Sequence, residues 1–154
     1  MFRFIFQTEA NPALLFVRLA LGIVVLPHGM QKLFGLWGGP GVAGTIDAFY
    51  TNFGFFPAIT LLVIATEFLG AIGLITGFLT RVSALGIGTS MTVCALLNHV
   101  QNGFFMNWFG AQKGEGFEYH ILILGMALAL VWKGGGALSL DRYIAQKVWT
   151  AYKR

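Results

Sequence analysis

The stretch Arg18-Leu-Ala-Leu-Gly-Ile-Val-Val-Leu-Pro-His-Gly-Met-Gln-Lys32 decides the fold of this chain. It lies in an apolar run long enough to cross a membrane, yet it carries three ionisable groups, Arg18, His28 and Lys32. A charge at the bilayer centre costs about 2.5–3.5 kcal/mol on insertion scales, so such groups usually face a protein interior and have a partner. We therefore expect the rest of the chain to supply partners for this helix.

The composition is that of a membrane protein. Of the 154 residues, 56% are hydrophobic and only 10% are charged, and the mean hydropathy is +0.74. The length predicts a single domain over residues 1–154. The net charge of +4 does not indicate nucleic-acid binding, because half of the ten basic residues lie from Lys133 onward and no soluble basic face is present to bind it.

Four apolar segments predict an all-α membrane protein, a bundle of four transmembrane helices. We place them at residues 13–34, 57–78, 82–99 and 118–132, against the roughly 20 residues that a bilayer-spanning helix needs. The second and third segments are joined by three residues only, which makes them antiparallel neighbours. The fourth is short for a span.

Two further amphipathic segments accompany the four spans. Between the first two spans, apolar residues recur at helical spacing and predict an outer interfacial helix; they are Val42, Ile46, Phe49, Tyr50 and Phe53. After Ser139, a candidate N-cap, the spacing of Leu140, Ile144 and Val148 with interspersed basic residues predicts a basic amphipathic tail helix over 139–152.

The distribution of Lys and Arg predicts the orientation of the chain. One side of the membrane receives seven such residues, Arg3, Arg81, Lys133, Arg142, Lys147, Lys153 and Arg154, and the other receives two, Lys32 and Lys113. The excess places both termini in the cytoplasm. The interfacial helix and the aromatic loop over 100–117 then face outward.

This topology gathers polar side chains in the outer half of the bundle. The candidate ligand-binding residues are His28, Lys32, Glu67, Asn98, Glu118 and His120. At 100° per residue, His99 falls about 160° from Ser83, away from the polar stripe of the third helix, so it is left outside this set. Arg18 and Glu67 are predicted to form a structural ion pair between the first two helices.

These residue types suit the binding of a quinone, since His, Lys and carboxylate groups can hydrogen-bond its carbonyls and carry its protons. We expect no metal site: Glu118 and His120 stand two residues apart, about 200° around a helix, and do not chelate. Cys94 is the single cysteine, so no disulfide or CxxC pair forms, and it is interpreted as a packing residue. No haem, iron–sulfur or flavin motif is present, which leaves quinone as the candidate cofactor.

Several motifs in this order resemble the DoxX family of small bacterial membrane proteins. They are Arg18-Leu-Ala-Leu-Gly22, Pro27-His-Gly-Met-Gln-Lys32-Leu-Phe, Glu67-Phe-Leu-Gly70, Gly77-Phe-Leu-Thr-Arg81, Gly116-Phe-Glu118-Tyr-His120 and Gly136-Ala-Leu-Ser-Leu-Asp141. The resemblance runs from about Ala13 to Asp141. It implies a four-helix protein of the bacterial inner (plasma) membrane that works in a redox system with partner proteins. Thiol-handling relatives carry a cysteine pair that this sequence lacks.

Three functions follow as alternatives. The first is the membrane subunit of an oxidoreductase system, which binds a quinone or a small redox substrate at the outward-facing polar site and works with a soluble or membrane redox partner. The second is a non-catalytic membrane anchor or assembly factor. The third is a transporter or channel formed by a homo-oligomer, against which no inverted repeat is apparent in the sequence.

Overall fold

A computed structural model describes residues 2–151, and within this range every regular element is a helix. The α-helices are α1 (Phe2–Phe6), α2 (Pro12–Phe34), α3 (Gly41–Phe53), α4 (Pro57–Thr76), α5 (Thr80–Cys94), α6 (Glu118–Lys133) and α7 (Leu140–Ala151). A short 3-10 turn at Leu36–Gly38 follows α2. The helix of α5 continues through a π turn at Ala95–His99 and a 3-10 turn at Val100–Asn102.

Local sequence accounts for the ends of the long helices. The side-chain oxygen of Asn11 accepts a hydrogen bond from the Ala13 N–H at 2.9 Å, and Pro12 occupies the first turn of α2. Helix α2 continues through Pro27 and ends at Gly35, whose φ of 73° is the left-handed conformation that glycine adopts without strain. Helix α4 likewise begins at Pro57 and ends before Gly77, at φ 69°.

Three helical segments are long and apolar enough to cross a membrane: Pro12–Phe34, Pro57–Thr76 and Thr80–Asn102. They confirm the first three predicted spans, although the third is longer than predicted because the helix continues through its π and 3-10 turns. Helix α6 occupies the fourth predicted segment and has 16 residues. Helices α3 and α7 occupy the two predicted amphipathic segments; Tyr152, Lys153 and Arg154 lie outside the described residues.

Four helices form the bundle: α2 packs against α4, α4 against α5, α5 against α6, and α6 against α2. Their shared core consists mainly of aliphatic side chains, among them Leu21, Val25, Leu74, Ile87, Ile123 and Leu130. The outer faces also carry large apolar side chains, including Phe16, Ile23, Leu62, Leu69, Leu85, Leu122 and Leu128. Helices that are apolar on both faces are typical of membrane-embedded bundles.

The bundle has two ends of different character. We call "loop end" the end formed by α3, residues 95–117, and the adjoining ends of α2, α4 and α6. We call "tail end" the opposite end, with α1, α7, the turn between α4 and α5, and the other ends of α2 and α6. Buried charged side chains occur at both ends, and they have different partners.

At the tail end, the guanidinium of Arg18 binds backbone carbonyls. It is 1% exposed. Its Nε donates to the oxygen of Gly135 at 2.9 Å, Nη1 donates to the oxygens of Leu74 and Ile75, and Nη2 donates to those of Ala137 and Leu138. All five guanidinium N–H groups are therefore satisfied. Arg18 closes the last turn of α4 and holds the segment that leads into α7.

The predicted ion pair between Arg18 and Glu67 is wrong. Helices α2 and α4 run antiparallel in a register that places Arg18 beside Leu74 and Ile75. Glu67 lies eight residues before Ile75, about 12 Å away along the helix at 1.5 Å per residue, which is too far for an arginine side chain to bridge. The carbonyls at the C-terminus of α4 supply the negative partial charge instead.

Arg81 and Asp141 extend this tail-end network. Arg81 donates to the carbonyls of Val131 and Trp132 in the last turn of α6, and to that of Gln7. The buried carboxylate of Asp141 accepts from the backbone N–H groups of Leu79 and Thr80 at 2.7 and 2.8 Å, at the start of α5. Cations thus meet helix C-termini and the anion meets an N-terminus, as the helix dipoles favour.

Candidate functional site

The centre of the loop end is an ion pair between α2 and α4. Lys32 Nζ lies 2.6 Å from Glu67 Oε2, and the Glu67 side chain is 4% exposed against 22% for Lys32. Among the described residues, Glu67 is thus a nearly buried carboxylate with one cationic partner, as expected of an ionisable group within a membrane bundle. This contact joins two of the residues that the sequence singled out.

A glycine makes this pairing possible. Gly29 lies on α2 where that helix crosses α4, and a Cβ placed there would stand 2.7 Å from the Phe68 nitrogen and 2.8 Å from the Glu67 carbonyl carbon. Such distances are shorter than any side chain tolerates, so the two backbones approach closely only because residue 29 has no side chain. The close crossing brings the Lys32 ammonium within reach of the Glu67 carboxylate.

His28 stands beside this ion pair, one helical turn before Lys32 on α2. Its imidazole lies within range of the charges on Lys32 and Glu67, and the residue is exposed at the surface of the bundle. The exposure of the three residues therefore increases from the nearly buried Glu67 through the partly exposed Lys32 to the exposed His28. A molecule at the bundle surface can reach the imidazole without opening the helices.

Two other predicted residues have structural partners of their own. The Asn98 side-chain amide donates to the Cys94 carbonyl at 3.3 Å, within its own helix. Glu118 Oε1 accepts from the Met106 N–H at 3.0 Å and so ties the loop over 103–117 to the start of α6. Both residues lie at the loop end, and these hydrogen bonds join them to backbone atoms rather than to the Lys32–Glu67 pair.

The last predicted residue, His120, lies against a residue that the sequence interpretation left out. Its ring centroid is 4.4 Å from that of His99, and Cys94 lies nearby. The direction expected for His99 from 100° per residue is wrong because of the π turn at Ala95–His99. This turn is wider than a turn of α-helix, so it changes the direction of the side chains that follow. A count at 100° per residue contains no signal of such a turn.

Tyr119 also belongs to the loop-end site and was not predicted. It packs against the hydrophobic core from the first turn of α6, and its ring centroid is 5.5 Å from that of His120. An aromatic residue at the start of an apolar helix ordinarily indicates only the membrane interface. Its sequence position therefore gives no reason to assign it to a polar site.

Comparison with known proteins gives one match. The family model described as DoxX matches residues 13–100, which include α3 to α5, all of α2 except its first residue, and both members of the Lys32–Glu67 pair. No curated protein and no solved structure matches the chain. Together with the three long apolar helices, the family match makes this chain a multi-pass membrane protein.

Proposed function

The chain belongs to the DoxX family, and from this premise we propose that it is the membrane subunit of an oxidoreductase system that binds a quinone at the loop end. The observation that carries the proposal is the exposed His28 beside the ion pair that Lys32 forms with the nearly buried Glu67. Quinones dissolve in the bilayer, so a polar site that opens on the apolar surface of the bundle is accessible to them. In a variant of this proposal, the same site binds a small redox substrate that arrives from the aqueous side.

Each of the three residues has a chemical part in this reading. The His28 imidazole and the Lys32 ammonium can donate hydrogen bonds to a quinone carbonyl, and Glu67 holds the ammonium in place. Reduction of a quinone to a quinol takes two electrons and two protons. A soluble or membrane redox partner supplies the electrons, and the His28 and Lys32 side chains pass protons from the loop-end surface to the carbonyl oxygens.

The proposal includes the arrangement of the chain in a bacterial inner membrane. Helix α6 crosses as the fourth span, α3 and α7 lie at the two interfaces, and both termini are cytoplasmic, so that the loop end faces outward. The excess of Lys and Arg at the tail end supports this orientation. In a Cys94→Ser background, Lys113→Cys should react with an impermeant maleimide added to spheroplasts, and Lys133→Cys should react only after permeabilisation. The reverse pattern would refute the orientation.

Quinone binding is tested on the purified chain in detergent, with decylubiquinone as the probe in equilibrium dialysis. We expect His28→Ala to weaken binding at least about tenfold, since a hydrogen bond from a polar side chain to the bound carbonyl is lost. His28 is exposed, so this variant should fold normally. Lys133→Met is the matched control because Lys133 forms an exposed ion pair with Glu9 at the tail end. Equal affinity for decylubiquinone in the wild-type chain and both variants would refute the proposal.

An exposed aromatic surface favours a second candidate function, a membrane anchor or assembly factor without catalysis. Phe105, Trp108 and Phe109 in the loop over 103–117 all expose most of their side chains. In this alternative the loop docks a partner protein, and His28→Ala leaves function intact while Trp108→Ser with Phe109→Ser abolishes it. Cross-linking from the loop in native membranes distinguishes a redox partner from a second copy of the chain.

A further inference from the structure

Three side chains with metal-binding atoms converge at the loop end. Cys94, His99 and His120 each offer one ligand atom, and these three atoms lie within 4.8 Å of one another. Cys94 ends the α-helical part of α5, His99 ends the π turn, and His120 lies in the first turn of α6. One thiol and two imidazoles from three separate turns are the ligand types that zinc and related transition metals take in proteins.

The orientation of His99 suits a metal ligand. Its Nδ1 lies 2.9 Å from the backbone carbonyl oxygen of Glu115. A carbonyl oxygen carries no proton, so Nδ1 must donate one, which leaves the lone pair of Nε2 free to bind a cation. Metal-binding histidines in proteins are usually held in this way by a hydrogen bond from the second ring nitrogen.

His120 supplies an independent observation. Its side chain is 5% exposed, and its Nδ1 is buried with no hydrogen-bond partner among the described residues. Buried polar atoms in proteins nearly always have a partner, and an exception calls for an explanation such as an ion. This unpartnered nitrogen belongs to the imidazole that lies beside the Cys94 thiol and the His99 ring, and it is accounted for if a cation binds among the three residues.

We propose that Cys94, His99 and His120 form a binding site for a transition-metal ion of the zinc class. In a tetrahedral site, bond lengths of 2.0 to 2.3 Å place neighbouring ligand atoms about 3.3 to 3.6 Å apart. The three side chains need to close by only on the order of 1 Å to reach that spacing. Three protein ligands leave a fourth position open to water or to a further ligand, as in catalytic zinc sites.

The sequence does not predict this metal site, because no two of its ligands lie on the same face of a regular helix. The spacing of Glu118 and His120 predicts no metal site, and the sequence around Cys94 indicates a packing residue. The π turn changes this by redirecting His99 toward α6. The metal site does not require the quinone proposal: its ligands are distinct from His28, Lys32 and Glu67, although it occupies the same end of the bundle.

The single cysteine makes the proposal directly testable, because any thiol reagent reports on Cys94 alone. The full chain is purified in detergent, treated with a chelator and titrated with Co²⁺. We expect one equivalent to bind and to produce a thiolate-to-cobalt charge-transfer band in the near ultraviolet, with the d–d absorption of a tetrahedral ion. Zn²⁺ should displace Co²⁺, abolish the band and slow maleimide labelling of Cys94.

Variants separate a metal site from a simple packing cluster. His120→Gln should weaken Co²⁺ binding at least about tenfold and abolish the protection of Cys94, and Cys94→Ser should remove the charge-transfer band. His28→Gln is the control because it removes a histidine outside the cluster, and it should leave metal binding unchanged. Size-exclusion profiles verify that each variant is folded. A wild-type chain without the charge-transfer band, or equal protection of Cys94 in His120→Gln, would overturn the proposal.

Discussion

The ammonium of Lys32 lies 2.6 Å from the carboxylate of Glu67, across the crossing of α2 and α4. The two partners are unequally buried, since the Glu67 side chain is 4% exposed and the Lys32 side chain is 22% exposed. A buried pair is not by itself a source of net stability, because desolvation offsets much of the Coulomb attraction. The asymmetry nevertheless predicts that the two partners respond differently to substitution.

Lys32→Met should destabilise the chain more than Glu67→Gln. Loss of the ammonium leaves a nearly buried carboxylate uncompensated, which costs about 3–5 kcal/mol. Loss of the carboxylate leaves Lys32 free to extend its side chain toward the polar loop end. We therefore expect Glu67→Gln to lower the free energy of unfolding by about 1–2 kcal/mol. Unfolding in mixed micelles of detergent and SDS, followed by circular dichroism, measures both. Lys133→Met breaks an exposed ion pair and should lower the free energy of unfolding by only about 0–1 kcal/mol. Equal losses for all three variants would contradict the asymmetry.

Gly29→Ala should destabilise the crossing of α2 and α4. The added methyl group meets the backbone of Glu67 and Phe68 at 2.7–2.8 Å, so the helices must separate, and overpacking of this kind costs about 1–3 kcal/mol. Gly125→Ala is a matched helical control, because nothing lies within 4 Å of its Cβ position. That control should be neutral or stabilising by up to about 1 kcal/mol. If Gly125→Ala lowers the free energy of unfolding more than Gly29→Ala in the same assay, the close contact of α2 and α4 at Gly29 is refuted.

Arg18→Lys should weaken the tail end although it conserves the charge. A lysine has three donors on a single atom and cannot reach five carbonyls on two segments, so orphaned carbonyls remain in α4 and in residues 135–138. We expect a loss of more than about 2 kcal/mol. Hydrogen exchange should rise in the last turn of α4 and at the start of α7. Arg142→Lys on α7 serves as the control, and unchanged exchange in Arg18→Lys would refute the role of the guanidinium.

Asp141→Ala should loosen the start of α5. The carboxylate accepts from two successive backbone N–H groups, at Leu79 and Thr80, and loss of such a helix cap costs about 0.5–2 kcal/mol. Asp141→Asn keeps an oxygen acceptor and should recover part of the loss. Hydrogen exchange at residues 79–83 reports the effect locally. Protection that stays at the wild-type level in Asp141→Ala would show that the N-terminus of α5 does not depend on this carboxylate.

The sequence was informative about helices and less so about contacts between them. Apolar run length and the Pro and Gly residues at helix ends located α2 and α4 within two residues of their observed ends. The helical spacing over 42–53 also located α3. These features depend on residues close together in the chain, so local patterns suffice to find them.

The partners of the charged residues depend on the register between helices. The sequence predicts that Arg18 is a structural residue paired with Glu67, whereas the register supplies carbonyls of α4 instead. A count at 100° per residue also directs His99 away from the polar stripe of the third helix, because the π turn does not follow the regular α-helical period. Both errors arose where a contact depends on the axial offset or rotation of one helix against another.

The sequence by itself determined that this chain forms apolar membrane helices with ionisable residues that require partners inside the bundle. The tertiary structure decided which partners two of them have, Glu67 for Lys32 and backbone carbonyls for Arg18, and it placed His120 beside the His99 imidazole and the Cys94 thiol. The physical reason is that hydropathy and helix-end signals act within one helix. Pairing across helices depends on their axial register and on how closely they approach, and in this bundle the absence of a side chain at Gly29 allows the close approach of α2 to α4.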